Sequence, residues 1–426
     1  MESLDLTDAP MPRPAAEGFA CRGCGARVTR SVLNLGAMPL ANAYLDKADL
    51  KRPEPSFPLH VFICENCMLV QLEALVSPEE LFAEYAYFSS YSASWLEHAR
   101  NFAGLAAARF NLSAASKVVE LASNDGYLLR NFVERGIPVL GIDPAANVAA
   151  VARANGVPTE VRFFGLDCAQ DLRALGHAAD LIVANNVVAH VPDLRDFLGG
   201  VAHLLKADGV FSAEFPHLLR LLDETQFDTI YHEHFSYLSL GAFQTVMASV
   251  GMRVFDVESL PTHGGSLRVF SCREDSARHV ETPNVAKVRA AERDAGLGRL
   301  DAYDAFAARV IRCCERLVNF VKEARGAGRL IAGYGAAAKG NTLLNTCAFT
   351  ARDIACVADR SPHKQGHYLP GSHIPVVAPE QIAEIRPDYL LILPWNLREE
   401  IVANMAHVRD WGCRFVVPIP TVTVLE

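Results

Sequence analysis

Chemistry can enter this chain through three groups of residues. The first is a set of thiols in two pairs, Cys21-Arg-Gly-Cys24-Gly and Cys64-Glu-Asn-Cys67. A Cys-x-x-Cys knuckle aims two thiolates at one ion, and the glycine after Cys24 suits the tight turn this needs. Two knuckles predict one tetrahedral Zn2+ held by Cys21, Cys24, Cys64 and Cys67. Four thiolates leave no open coordination position, so the metal is expected to be structural. The alternative is two unrelated pairs, redox-active or simply buried. The connection Gly25–Ile63 is longer than a compact zinc ribbon uses.

The second group is Tyr231-His232-Glu233-His234-Phe235-Ser236-Tyr237, with Thr262-His263-Gly264-Gly265-Ser266-Leu-Arg268 further on. Two histidines around a carboxylate invite a metal reading, but metal-binding helices space their histidines differently. On an extended segment His232 and His234 share a face, with Glu233 opposite. A neutral imidazole is a competent base at pH 7 toward a carbon acid beside a carbonyl, and a neighbouring phenol can hold the enolate oxygen. A hydrogen-bonded polar loop with core aromatics would explain the same residues without chemistry. His190, in Asn185-Asn186-Val-Val-Ala-His190-Val-Pro-Asp193, follows an expected strand end.

The third group is a polar turn, Val118-Val-Glu120-Leu-Ala122-Ser-Asn124-Asp125-Gly126. Such a turn after the first strand of a doubly wound sheet is where an extended cofactor lies, and Asp143 ends the next strand, where an acid can bind ribose hydroxyls. This spacing suits NAD and S-adenosylmethionine alike. The turn itself favours the second, because a pyrophosphate site uses several glycines and only Gly126 is present.

Elements must position these groups. Residues 118–121 and 139–143 read as buried strands, 127–136 as a helix, and 181–184 and 210–214 as further short apolar strands. This alternation predicts a parallel sheet covered by helices on both faces. Residues 286–325 read as a helical bridge to a last unit with strands near 329–333, 354–358 and 389–394. The fold class is therefore α/β, with expected modules at 1–76, 77–285 and 286–426. In the last module, Gly333-Tyr-Gly335-Ala-Ala-Ala-Lys339-Gly-Asn341 follows a strand and could offer N–H groups and an ammonium to a phosphate, or be an ordinary strand-to-helix turn. Asp359-Arg-Ser-Pro-His-Lys364 reads either as a second rim loop or as solvated charge.

Composition bounds the partners. Half of the 426 residues are hydrophobic and the formal charge is −9, without basic runs. That argues against nucleic acid as the main partner. No apolar run approaches the ~20 residues that cross a bilayer, and residues 1–18 lack the pattern of a secretion signal. A cytoplasmic protein with no membrane partner is expected. Seven of the eleven cysteines lie outside the knuckles, in apolar or helical stretches, so no disulfide framework is indicated.

Taken together, these motifs resemble the S-adenosylmethionine-dependent C-methyltransferases of nucleotide-linked deoxysugars. The likeness spans nearly the whole chain: both knuckles, Glu120–Gly126, Asn186–Asp193, Tyr231–Ser239, Gly333–Asn341 and Leu393-Pro-Trp-Asn396. It implies a zinc module, a central class I methyltransferase domain and a C-terminal Rossmann-like α/β domain closing the substrate cleft. It implies donor contacts from Glu120, Ala122, Asn124, Asp125, Gly126, Asp143, Asn185 and Asn186. His234 resembles the base, Tyr231 and Glu233 its supporting pair, His190 a further active-site histidine, and Tyr85 or Tyr87 a tyrosine reaching in. His263, Gly264, Gly265, Gly335, Lys339 and Asn341 are expected to meet a dTDP- or GDP-linked 6-deoxy-4-keto-hexose, methylated at C3. An NAD-linked sugar-nucleotide oxidoreductase and a zinc-ribbon adaptor on a degenerate methyltransferase fold are the alternatives. Where the family can carry a glycine-rich first turn, this chain has Ala122-Ser123.

Overall fold

The computed structural model describes residues 18–82 and 89–425. Tyr85 and Tyr87 lie outside the described residues. The central sheet has seven strands in the order Met252–Leu260, Ser266–Arg273, Leu205–Pro216, Ala179–Asn185, Val118–Leu121, Val139–Asp143 and Thr159–Val161. The five strands from Leu205–Pro216 onward pair in parallel, as the alternation of strands and helices requires. The expected all-parallel arrangement ends there, because Ser266–Arg273 runs antiparallel to both neighbours. Only Pro261–Gly265 separates it from the preceding strand. A parallel crossover takes a dozen or more residues, so this connection can only close a hairpin. The expected helix at 127–136 shortens to Arg130–Val133, entered through turns.

Strand order reverses between Val118–Leu121 and Ala179–Asn185. The crevice beyond their carboxyl ends, where α/β sheets place ligands, is bordered by the polar turn and by Asn185. The C-terminal sheet repeats the device. Its order is Val376–Val377, Val357–Ala358, Ile331–Tyr334, Tyr389–Ile392, Arg414–Val417 and Thr423–Val424. Its reversal falls between Ile331–Tyr334 and Tyr389–Ile392, whose carboxyl ends lead into Gly335 and into Pro394-Trp395.

The N-terminal sheet is antiparallel and borrows a strand. Arg30–Met38, Phe57–Ile63 and Val70–Leu72 are extended by Ser236–Tyr237, the two residues after Phe235. The helix Asp301–Gly326 buries a stripe running from Tyr303 and Phe306 through Val310, Cys314, Leu317 and Val321, the 3.6-residue period of an amphipathic helix. That stripe shares one core with Leu33, Leu59 and Val61 of the N-terminal sheet and Ile331 and Leu391 of the C-terminal sheet. Among the described residues, no helix is long and apolar enough to cross a membrane.

Candidate active site

The four knuckle cysteines converge, with their sulfur atoms all within 4.8 Å of one another. Cys21 and Cys67 are 3.6 Å apart, as are Cys24 and Cys64. Tetrahedral Zn–S bonds of about 2.3 Å place sulfurs roughly 3.8 Å apart, so the set fits zinc. The two knuckles share one geometry. In each, the residue after the second cysteine, Gly25 or Met68, has positive φ and its N–H returns to the first cysteine's carbonyl at 2.8 Å. Gly23 N, Gln71 Nε2 and Asn66 Nδ2 donate to the sulfurs at 3.2–3.4 Å. Such donors stabilise thiolates, and the closed set gives the metal a structural role.

The polar turn is a cradle with its acceptors turned inward. Ala122, Asn124 and Gly126 all have positive φ. At Gly126 an added Cβ would lie 2.9 Å from Val157, so glycine is required there. Asp143 ties the turn down, accepting from Asn124 N at 2.8 Å and Ala145 N at 2.9 Å. Each carboxylate oxygen keeps a second lone pair. Asn124 Oδ1 and Asp125 Oδ2 accept from the backbone of Ser89 and Ser90 at 3.0 and 3.1 Å. Ser123 Oγ and Asp125 Oδ1 are buried with no hydrogen-bond partner among the described residues, and the buried Glu120 and Asn185 side chains flank the Tyr127 hydroxyl beside them. Buried polar atoms are rarely left unmatched. A cluster of them at the crevice fits the hydroxyls and amino group of an S-adenosylmethionine. Burial first, then Asp143 and Asp125, push the Glu120 carboxyl well above the usual range.

The residues around His234 form a turn, not the extended segment on which His232 and His234 would share a face. His234 N bonds Tyr231 O at 2.9 Å, which sends the three polar side chains in different directions. His232 Nε2–H donates to Phe57 O at 3.1 Å, and Glu233 Oε1 accepts from Asn42 Nδ2 at 2.6 Å. Both therefore anchor the turn to the N-terminal module. Burial pushes Glu233 up to about 7 against that hydrogen bond. His234 turns toward a cluster of rings: Tyr231 at 3.9 Å, His190 at 4.7 Å and Tyr237 at 6.4 Å between centroids. Its Nδ1 faces Thr229 O at 2.7 Å. A carbonyl only accepts, so Nδ1 carries the proton and Nε2 presents a lone pair. Desolvation holds His234 well below its ordinary value and lowers His190 to about 4, so both rings are neutral at pH 7.

The second sheet closes on this site. Trp395 Nε1 donates to Asp228 Oδ2 at 2.7 Å, and Lys339 lies over the Trp395 ring at 4.8 Å with its ammonium on Asn396 Oδ1 at 2.7 Å. Burial raises Asp228 to about 6 despite Lys339. The turn bearing His263 docks from the other side. Gly264 has φ +88, and a Cβ there would lie 2.6 Å from Trp395, while its carbonyl accepts from Gln226 at 2.7 Å. At Gly265 (φ +113) a Cβ would meet Arg220 at 2.6 Å. His263 Nε2 lies 3.1 Å from Asn186 Nδ2. At Gly335 a Cβ would lie 2.4 Å from Pro394, and Asn341 is fully buried with Oδ1 unmatched among the described residues. Asp359 accepts from Ala336 N and Ser361 N, both at 2.8 Å, while Lys364 donates to Ala336 O at 2.8 Å. That rim loop therefore shapes the Gly335 turn.

Several groups in the site escaped the sequence reading. Thr229 sets the His234 tautomer, Asn42 and Phe57 hold its turn, and Asp228 holds Trp395. Glu214 gathers His98 at 2.8 Å, Arg268 at 2.9 Å and Thr262 at 2.9 Å beneath the His263 turn. These partners hold its carboxyl below the usual range although burial opposes them. A backbone carbonyl or a lone carboxylate carries no local signature, so only the fold could reveal these.

Comparison with known proteins covers the same three parts. Family models match residues 21–82 as a zinc binding domain, 93–257 as a methyltransferase domain and 261–420 as a C-methyltransferase C-terminal domain. The C-methyltransferase NovU of Streptomyces niveus is 39% identical over 406 residues, 95% of this chain and 96% of that one. A ubiquinone biosynthesis O-methyltransferase of Rhodopseudomonas palustris (strain HaA2) is 28% identical over 160 residues, 32% of this chain and 62% of that one. Among solved structures, the magnesium protoporphyrin IX methyltransferase of Synechocystis PCC 6803 overlaps 42% of this chain and 79% of its own, at 14% identity and a TM-score of 0.33, too low to argue from.

Proposed function

We propose that this chain, which belongs to the family of zinc-binding, S-adenosylmethionine-dependent C-methyltransferases, methylates C3 of a 6-deoxy-4-keto-hexose carried on a dTDP- or GDP-type nucleotide. Membership favours methyl transfer over both the oxidoreductase and the adaptor alternatives. The substrate is what the motif resemblance implies, and the base is inferred from the site.

One observation carries the reading: the Nδ1–H of His234 is committed to Thr229 O, leaving Nε2 as a lone pair among Tyr231, His190 and the Lys339 edge. Carbon is a poor nucleophile until it is deprotonated, and a neighbouring ketone makes that possible. His234 Nε2 takes the C3 proton, the C–H electron pair becomes the C3=C4 double bond, and the C4 carbonyl π pair moves onto its oxygen; on methyl transfer C3 gains the new bond as the carbonyl re-forms. In this reading the Tyr231 phenol, beside the His234 ring, holds that oxygen, and neutral His190 avoids adding a charge that would quench the base. When bound at the Glu120–Gly126 cradle, S-adenosylmethionine supplies an electrophilic methyl group on a sulfonium. Glu120, Asp125, Asp143 and Asn185 orient it, and alignment of the two partners is the rest of the catalysis. Lys339, Asn341 and the glycine turns at 264–265 and 335 border the end of the cleft where the nucleotide diphosphate lies.

Proton exchange tests this directly. Keto-sugar nucleotides are incubated in deuterated water and followed by NMR, with the wild type and His234→Asn. The expected result is loss of the C3 proton signal with the wild type and an exchange rate lowered about 10²–10⁴-fold in the variant. Donor binding by calorimetry should be unchanged. Exchange at another carbon would move the methylation site, and equal exchange by both proteins would remove His234 from the role of base.

A further inference from the structure

Arg22 sits inside the first cysteine knuckle, yet its side chain leaves the metal site. Nε donates to Pro192 O at 3.1 Å, Nη2 donates to Leu72 O at 2.8 Å, and Nη1 donates to Phe235 O. The guanidinium also lies 5.5 Å from the centroid of the Phe235 ring. Its backbone N–H is fixed on Gln71 Oε1 at 3.1 Å, and Gln71 in turn donates to Cys21 Sγ at 3.2 Å. A mostly buried arginine is expected to meet a carboxylate. Here three neutral carbonyls from three separate segments take its rigid fork of donors.

The choice of carbonyls is informative. Pro192 lies two residues past His190, and Phe235 immediately follows His234. Leu72 ends the strand on which Ser236–Tyr237 is added, and Leu72 N also bonds Phe235 O at 3.0 Å. A single planar group thus spans the two segments that carry the two imidazoles and ties both to the zinc module. Burial lowers the guanidinium to about 10, so it stays charged at neutral pH.

We propose that Arg22 is a positioning residue that sets the spacing of the His190 and His234 rings and thereby aligns the His234 lone pair with the substrate carbon. This rests on the reading of His234 as the base. It gives the zinc module a part in the reaction: the knuckle holds Arg22, and Arg22 holds the two histidine segments.

The test compares Arg22→Gln and Arg22→Lys with Arg30→Gln, whose parent residue pairs with Asp304 at 2.7 Å on the exposed side of the same module. His234→Asn runs alongside. Four quantities are read: zinc per chain, stoichiometry and affinity of S-adenosylmethionine by calorimetry, KM and kcat for the keto-sugar nucleotide, and deuterium exchange at C3. In Arg22→Gln, kcat and exchange should fall about 10–100-fold, the scale of a misplacement near 1 Å. Zinc, donor stoichiometry and KM should stay within about threefold. Arg22→Lys should recover part of kcat, and Arg30→Gln should change nothing by more than about twofold. Unchanged kcat in Arg22→Gln overturns the proposal, as does a loss matched by lost zinc or lost donor stoichiometry. If Arg22→Gln does not fold, Arg22→Lys decides: lowered kcat at full zinc and donor binding supports positioning, and unaltered kcat rejects it. Exchange that survives His234→Asn would instead sink the reading of the base.

Discussion

The groups around the polar turn come from one strand, the turn after it and the carboxyl ends of the two flanking strands. His234 is held otherwise. Its tautomer comes from Thr229, its turn is fastened by Asn42 and Phe57 of the N-terminal module, and its cleft is closed by Lys339 and Trp395, which follow two strands of the C-terminal sheet. The donor cradle is local, whereas the base pocket is assembled from three parts of the chain. A local site depends on one sheet, with its adjoining turns, being folded. An assembled site depends on docking, so it can be lost while each part remains folded.

Metal removal should separate the two most strongly. Structural zinc contributes roughly 10–16 kcal/mol of apparent binding energy in small modules at neutral pH, so a stripped knuckle is expected to unfold. Cys64→Ser, or prolonged chelation, should abolish C3 proton exchange by at least about a hundredfold, because the strand Val70–Leu72 and Arg22 no longer hold Phe235. Binding of S-adenosylmethionine, measured by calorimetry, should weaken less than about tenfold. A parallel collapse of both would show that cradle and pocket are one cooperative unit, and the distinction would fail.

The same division explains what could be read from sequence. The strands Val118–Leu121 and Val139–Asp143 were visible as buried apolar runs with polar turns behind them, and the four cysteines announced themselves by spacing. Contiguous signals survive the loss of the third dimension. The antiparallel strand Ser266–Arg273 was missed because its direction depends on a short connection that periodicity does not register. The turn at His234 has no signature in sequence because its geometry is imposed from outside, by Asn42 and Phe57. Asp228 and Thr229 look ordinary in sequence, and only the docking of Trp395 and of the His234 ring gives them roles.

A pH series sharpens the comparison at a middle scale. Glu233 is a support of the assembled pocket, and burial raises its carboxyl to about 7 from an ordinary 4.5. A raised carboxyl means that the folded state holds its proton through a range where the unfolded chain has lost it. The resulting stability is fully present below about 4.5 and is lost as pH rises to about 7. A shift of this size corresponds to roughly 3 kcal/mol. Glu233→Gln keeps an oxygen for Asn42 and removes the titration. Denaturation of both proteins should coincide near pH 4.5, and the variant should be more stable by up to about 3 kcal/mol at pH 8. A gap that does not vary with pH would exclude Glu233 as the titrating group.

The smallest effect is expected at the local site, where nothing distant has to give. Ala122 is exposed at φ 53°, a left-handed conformation that costs an L-residue roughly 1–2 kcal/mol. Glycine adopts it freely but loses about 0.5–1 kcal/mol more chain entropy on folding. Removing an exposed methyl sacrifices no packing, so the two terms leave Ala122→Gly more stable by about 0.5 kcal/mol. Affinity for S-adenosylmethionine should stay within about twofold, because the acceptors at this turn are Glu120, Ser123 and Asp125 and none moves. A loss of donor affinity beyond tenfold would mean that the Ala122 methyl itself packs against the ligand, making this departure from a glycine-rich turn a part of donor recognition.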